Sequence, residues 1–126
     1  MAKYIPAAMT VSYNVSAHAA NFLVEIALDE NADVAESTGA GDAWKTFGVT
    51  VKSATAKVRI YDDSAKTVIQ DIWAVGTSAA LSIDPGAATY TKAATALVTR
   101  IGNVFTFNEF AVVEADLQIT GAVTTA

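Results

Sequence analysis

The sequence predicts a mainly β protein, an antiparallel β-sandwich or barrel-like domain spanning residues 1–126, with one flanking α-helix at about residues 64–74. Three observations carry this expectation. Runs of alternating apolar and polar residues recur at fairly even spacing, glycines and small polar residues separate them, and a single stretch has helical periodicity. A chain of 126 residues with 52% apolar and 17% charged side chains has the size and composition of one folded domain. It contains no cysteine, which excludes disulfides and thiolate metal sites and leaves packing, hydrogen bonding or association to stabilise it.

The first candidate strand is short, at Met9–Tyr13. A clearer one covers Asn21–Asp29, where Phe22, Val24, Ile26 and Leu28 alternate with Leu23, Glu25, Ala27 and Asp29. Residues 30–48 read as a long loop or hairpin, because Thr38-Gly39-Ala40-Gly41-Asp42 is a turn-forming cluster. Connections longer than about 12–15 residues are usually functional or disordered, which makes this segment the place to look for an interaction role. Val49–Asp62 alternates again, with Val58 and Ile60 on one side and Lys57, Arg59 and Tyr61 on the other. Asp62-Asp63-Ser64 supplies N-cap candidates, and Val68, Ile69, Ile72 and Trp73 fall on one stripe, so Ser64–Ala74 is the expected helix. Beyond Gly76 the sequence predicts a short strand at Leu81–Ile83 and a turn at Asp84-Pro85-Gly86. Strands at Ala88–Lys92 and Thr95–Ile101 follow, broken at Gly102-Asn103. The strongest alternation is the last: Ala111, Val113, Ala115, Leu117 and Ile119 against Phe110, Val112, Glu114, Asp116, Gln118 and Thr120.

Catalytic and metal chemistry is not expected. The single histidine, His18, lacks a G-x-S-x-G partner pattern and reads as a polar loop residue. Asp29-Glu30-Asn31-Ala32-Asp33 opens like a calcium loop, but Val34 stands where the turn needs glycine and Ala40 where the bidentate glutamate belongs. Gly39-Ala40-Gly41 has Trp44 in place of a third glycine, so it does not read as a dinucleotide fingerprint. No cofactor is implied. Trp73 lies on the apolar stripe and reads as core, whereas Trp44, on a glycine-rich loop, reads equally as a local anchor or a contact for a partner. The net charge is −5 and the eight basic residues are scattered, which disfavours sequence-specific nucleic-acid binding. No apolar run approaches the roughly 20 residues of a membrane-spanning helix, and the expected site of synthesis is the cytoplasm.

Three segments, in this order, resemble the tail tube (major tail) proteins of long-tailed bacteriophages: Ala35–Phe47 with its Thr38-Gly39-Ala40-Gly41-Asp42-Ala43-Trp44-Lys45 core, Val51–Val58 leading to Tyr61-Asp62-Asp63, and Val113–Val123. The likeness extends over residues 16–123, with Thr50-Val51-Lys52 replacing the family's Gly-Leu-Lys. The resemblance implies a structural virion protein that self-assembles into hexameric rings, stacked as a tube that conducts DNA without reading its sequence. It also implies other tail proteins as partners, no membrane, no enzymatic activity, and location in the virion tail after synthesis in the host cytoplasm. Under this reading Glu25, Asp29, Glu114 and Asp116, on polar strand faces, are candidates for an acidic lumen. Asp42, Trp44 and Phe47 are candidates for contact between subunits or rings. The rival reading is a capsid decoration or immunoglobulin-like surface-binding module, which would be equally β-rich, acidic and cysteine-free.

Overall fold

The computed structural model of the chain describes residues 3–6, 8–14, 16–18, 23–41 and 43–126. Among them, seven strands form one antiparallel sheet: β1 (Thr10–Tyr13), β2 (Ser16–His18), β3 (Leu23–Glu36), β4 (Phe47–Tyr61), β5 (Ser78–Asp84), β6 (Lys92–Val104) and β7 (Val112–Thr125). Their order is β2-β1-β5-β6-β7-β4-β3, so the sheet is continuous and open, with β2 and β3 at its edges. The mainly β, antiparallel expectation holds. Where the expectation was a sandwich or barrel-like domain, the described strands make a single sheet that curls without closing.

Curling follows from where the apolar side chains point. In β7 residues Val113, Ala115, Leu117 and Ile119 are buried and their neighbours are not, and β4 repeats the pattern with Ala54, Ala56, Val58 and Ile60. One face therefore carries the core, each fully buried valine, leucine or isoleucine contributing on the order of 1.5–3 kcal/mol. Because this one face has no second sheet to cover it, its wings fold toward each other. Leu28 of β3 lines a common cleft with Leu81 and Ile83 of β5. At the rim, Lys92 Nζ of β6 lies 3.2 Å from Glu30 Oε2 of β3, although β7 and β4 separate those strands in the sheet. Alanines at 54, 56, 96 and 115 leave room for this approach.

The remaining opening is closed by the segment between β4 and β5, and here the expected helix does not form. Residues 64–73 run as consecutive turns, with mixed spacing: Val68 N–H to Ala65 O, Asp71 N–H to Lys66 O, and Trp73 N–H to Ile69 O. Thr67, Val68 and Ile69 are β-branched in succession and disfavour a helix, and a stretch this short needs packing to hold it. Packing here fixes Ile69 and Trp73, each 1% exposed, while Val68, placed on the same predicted stripe, is 40% exposed. Trp73 stacks on Tyr13, ring centroids 4.5 Å apart and planes 16° from parallel. The capping signal was real, since Asp63 Oδ1 accepts from Ala65 N–H, but it starts a turn.

Two further boundaries move. The pair predicted at 88–92 and 95–101 is one strand, β6, which starts at Lys92 and runs through Gly102-Asn103 to Val104. The strand predicted to end at Asp29 continues to Glu36, and β4 begins at Phe47, so most of residues 30–48 is a two-stranded hairpin. Asp84-Pro85-Gly86 turns as expected: Gly86 has φ +81 and its N–H donates to Asp84 Oδ1 at 2.8 Å.

Candidate assembly surfaces

Beyond Thr55 and Gln118 the sheet forks. β4 pairs with β7 only over Thr55–Tyr61, so residues 47–54 of β4 pair with β3 alone, and β7 past Gln118 pairs with β6 alone. A fork leaves backbone carbonyls without sheet partners at its crotch. Gln118 supplies the missing donor, its Nε2 reaching Ala54 O at 3.0 Å and Ile119 O at 3.3 Å. The β3–β4 branch is an arm whose residues 29–53 are all exposed, apart from Asp42, which lies outside the described residues.

One face of the arm carries three large apolar side chains beside Glu36 and Lys52. A bulge between Asp33 and Val34 shifts the register so that Val34 faces Val49 and Glu36 faces Phe47, while Asp33 faces Val51. Cross-strand partners share a face and alternation reverses once at the bulge, so Val34, Val49 and Phe47 continue the core side of the sheet out along the arm. At the tip, Ser37 N–H donates to Thr46 O at 2.7 Å, Thr46 N–H donates to Thr38 Oγ1 at 3.0 Å, and Gly41 takes φ +93, open only to glycine without strain. Trp44 is 86% exposed and Phe47 59%, so neither anchors the loop against the core. Two of the three residues expected at subunit contacts therefore stand together on the arm; Asp42 is not described.

The four acidic candidates also come together. In the rows across the outer face of the sheet, Glu25 lies opposite Arg59 and Arg59 opposite Glu114; Lys57 lies opposite Asp116 and Asp116 opposite Arg100; Asp29 lies opposite Thr55. Arg59 Nε is 3.2 Å from Glu114 Oε1 and Arg100 NH1 is 3.4 Å from Asp116 Oδ2. The face is thus a lattice of alternating charge, with Lys57, Arg59 and Arg100 set among the acids. Scattered positions in the sequence conceal this, because the neighbours are made by β7 pairing with both β4 and β6.

Asp29, Asn31 and Asp33 lie on regular strand, where alternate residues stand about 6.6 Å apart in a line, so they do not converge on a cation. Among the described residues no group of three or more histidine or carboxylate side chains could hold a metal ion, and no helix is long and apolar enough to cross a membrane. His18 belongs to β2; its side chain is outside the described residues.

A surface that the sequence reading missed lies at the other end of the sheet. The β6–β7 connection holds Phe105, Phe107 and Phe110, exposed by 76%, 92% and 82%. Every described phenylalanine is exposed, Phe47 included, in a residue type that ordinarily ranks among the most buried. Phe110 lies at 5.6 Å from Tyr61 in a tilted arrangement, beside an open groove lined by Val24, Tyr61, Glu109 and Val112. The signal was present as Phe-Thr-Phe-Asn-Glu-Phe following Gly102-Asn103-Val104.

This architecture, a curled open sheet with a projecting hairpin, is the fold of tail and tube components of phage-like particles. A chain in the C6-symmetric tail of an empty gene transfer agent particle superimposes with a TM-score of 0.74 at 16% identity, over 100% of this chain and 99% of that one. A chain in the anti-feeding prophage cap, a tube-terminating cap, gives 0.74 at 17% identity, over 100% and 93%. The sheath-tube complex of the extracellular contractile injection system PVC contains a chain matching at 0.72 and 19% identity, over 95% and 88%. No family model matches the sequence, and no curated protein does.

Proposed function

We propose that this chain is a structural tail tube subunit that assembles into six-membered rings, stacked to form a conduit for DNA. The observation that carries the reading is the mutual coverage of a chain from a C6-symmetric tail, 100% of this chain and 99% of that one, so that the likeness runs the length of both. Physical features support it. The edge strand β3 presents 14 residues of backbone on one side, an aggregation hazard that ring closure would remove. The arm and the phenylalanine loop expose apolar side chains of the kind that mark protein contacts. Other tail proteins would meet the tube at its ends.

Within that tube the outer face bearing Glu25, Asp29, Glu114 and Asp116 is the proposed lumen wall, and the hairpin tip with Asp42, Trp44 and Phe47 the proposed joint between rings. A wall of interleaved acids and bases suits passage of DNA. Each phosphate paired with a lysine or arginine adds affinity, and here Arg59 and Arg100 are already engaged by carboxylates. Negative-stain electron microscopy of the purified protein tests the proposal: rings with six-fold averages, or tubes, are expected. A protein that stays monomeric at high concentration and decorates preformed capsids would refute it.

A further inference from the structure

We infer that the groove beside Phe110, with the exposed Phe107, receives the hairpin tip of a second copy of this chain in the next ring. The inference rests on the tube reading and names the surface that the tip meets. Its first support is position. β4 runs from Phe47, next to the tip, to Tyr61, which lines the groove, and its 15 residues span roughly 50 Å. Tip and groove are therefore at opposite poles of the sheet, and translation along the strand direction carries the tip of one copy onto the groove of another.

The second support is chemistry. Trp44 and Phe47 at one pole and Phe107 and Phe110 at the other are exposed aromatic surfaces of the same chain, and Phe110 is backed by Tyr61. Lys45 follows Trp44 at the tip, and Glu109 precedes Phe110 in the groove, whose other charged residue, Arg59, is already paired with Glu114 at 3.2 Å. A tip-to-tip contact would instead pair like with like and close after two rings, whereas tip-to-groove is heterologous and leaves a fresh tip and a fresh groove at the two ends of every stack. With the strands set along the tube, each pole of this chain meets the opposite pole of the next copy, so a second copy is the occupant that both poles fit.

The absence of cysteine makes the test direct. A Lys45→Cys, Glu109→Cys double variant, assembled and treated with a short bismaleimide, should give a ladder of covalently linked subunits, and neither single variant should. Separately, Phe107→Ser with Phe110→Ser, both exposed and so leaving the fold intact by circular dichroism, should yield single rings in place of tubes. Wild-type tubes accompanied by no ladder and by full-length tubes of the phenylalanine variant would overturn the docking while leaving the tube intact. A wild-type protein that forms neither rings nor tubes overturns the tube reading, and this inference with it.

Discussion

Tyr13 shows how one polar atom is accommodated at the centre of this core. The ring is fully buried against Trp73, and its hydroxyl sits 2.9 Å from Thr77 O and 3.0 Å from Ala96 O, joining β1 to the turn before β5 and to β6. Tyr13→Phe keeps the stacking and leaves carbonyls without that donor, so a loss of about 1–3 kcal/mol is expected in denaturant unfolding. Burial also pushes the Tyr13 phenol up from its ordinary value. A raised folded value means that the folded state keeps the proton longer than the unfolded chain. The contribution is complete below about pH 10 and is lost as pH rises from there through the higher folded value. The gap in stability between wild type and Tyr13→Phe should therefore be constant from pH 7 to 9 and narrow above pH 10; a gap that widens there would contradict the assignment. Trp73 was legible as core from its stripe, but its partner was not, since nothing local in Thr10–Tyr13 announces a stack with a residue 60 positions away.

Elements were legible where one face is buried and illegible where neither is. Alternation located β7 and most of β4 because Val113 to Ile119 and Ala54 to Ile60 do face a core. In β3 the stretch Asp29-Glu30-Asn31-Ala32-Asp33 is polar on both faces, the composition of a loop, because the strand there belongs to an arm that has left the core. The phenylalanines of the β6–β7 connection are silent for the converse reason: apolar residues outside a periodic run give no strand signal even when they form a surface. Helical spacing at residues 64–74 misled because Ile69 and Trp73, four apart, are anchors of an irregular segment as readily as of a helix. Replacing residues 37–46 with Asn-Gly tests the separation of arm from core. Subunit stability should change by less than about 1 kcal/mol, as expected for shortening a loop, while sedimentation shows rings that no longer stack. Loss of the folded subunit would show instead that the tip supports the core.

For the whole molecule, the charge lattice of the outer face offers the test of the proposed lumen. Glu25→Lys with Asp29→Lys adds positive charge to that face and leaves the Arg59–Glu114 and Arg100–Asp116 pairs in place. In assembled particles DNA ejection should slow several-fold at low salt and recover as ionic strength rises, since exposed charges are screened beyond about 10 Å at 0.1 M. Ejection unaffected at low salt would remove this face from the lumen. The fork at Thr55 and Gln118 bears on a different property, the dimensions of the proposed tube. Pairing of β4 with β7 stops there, so two residues added to each strand of the arm would lengthen it by about 6.6 Å without disturbing a single hydrogen bond of the curled sheet. Circumference and axial repeat would then answer to separate parts of the chain, and a lineage of such tubes could change its pitch while conserving its bore.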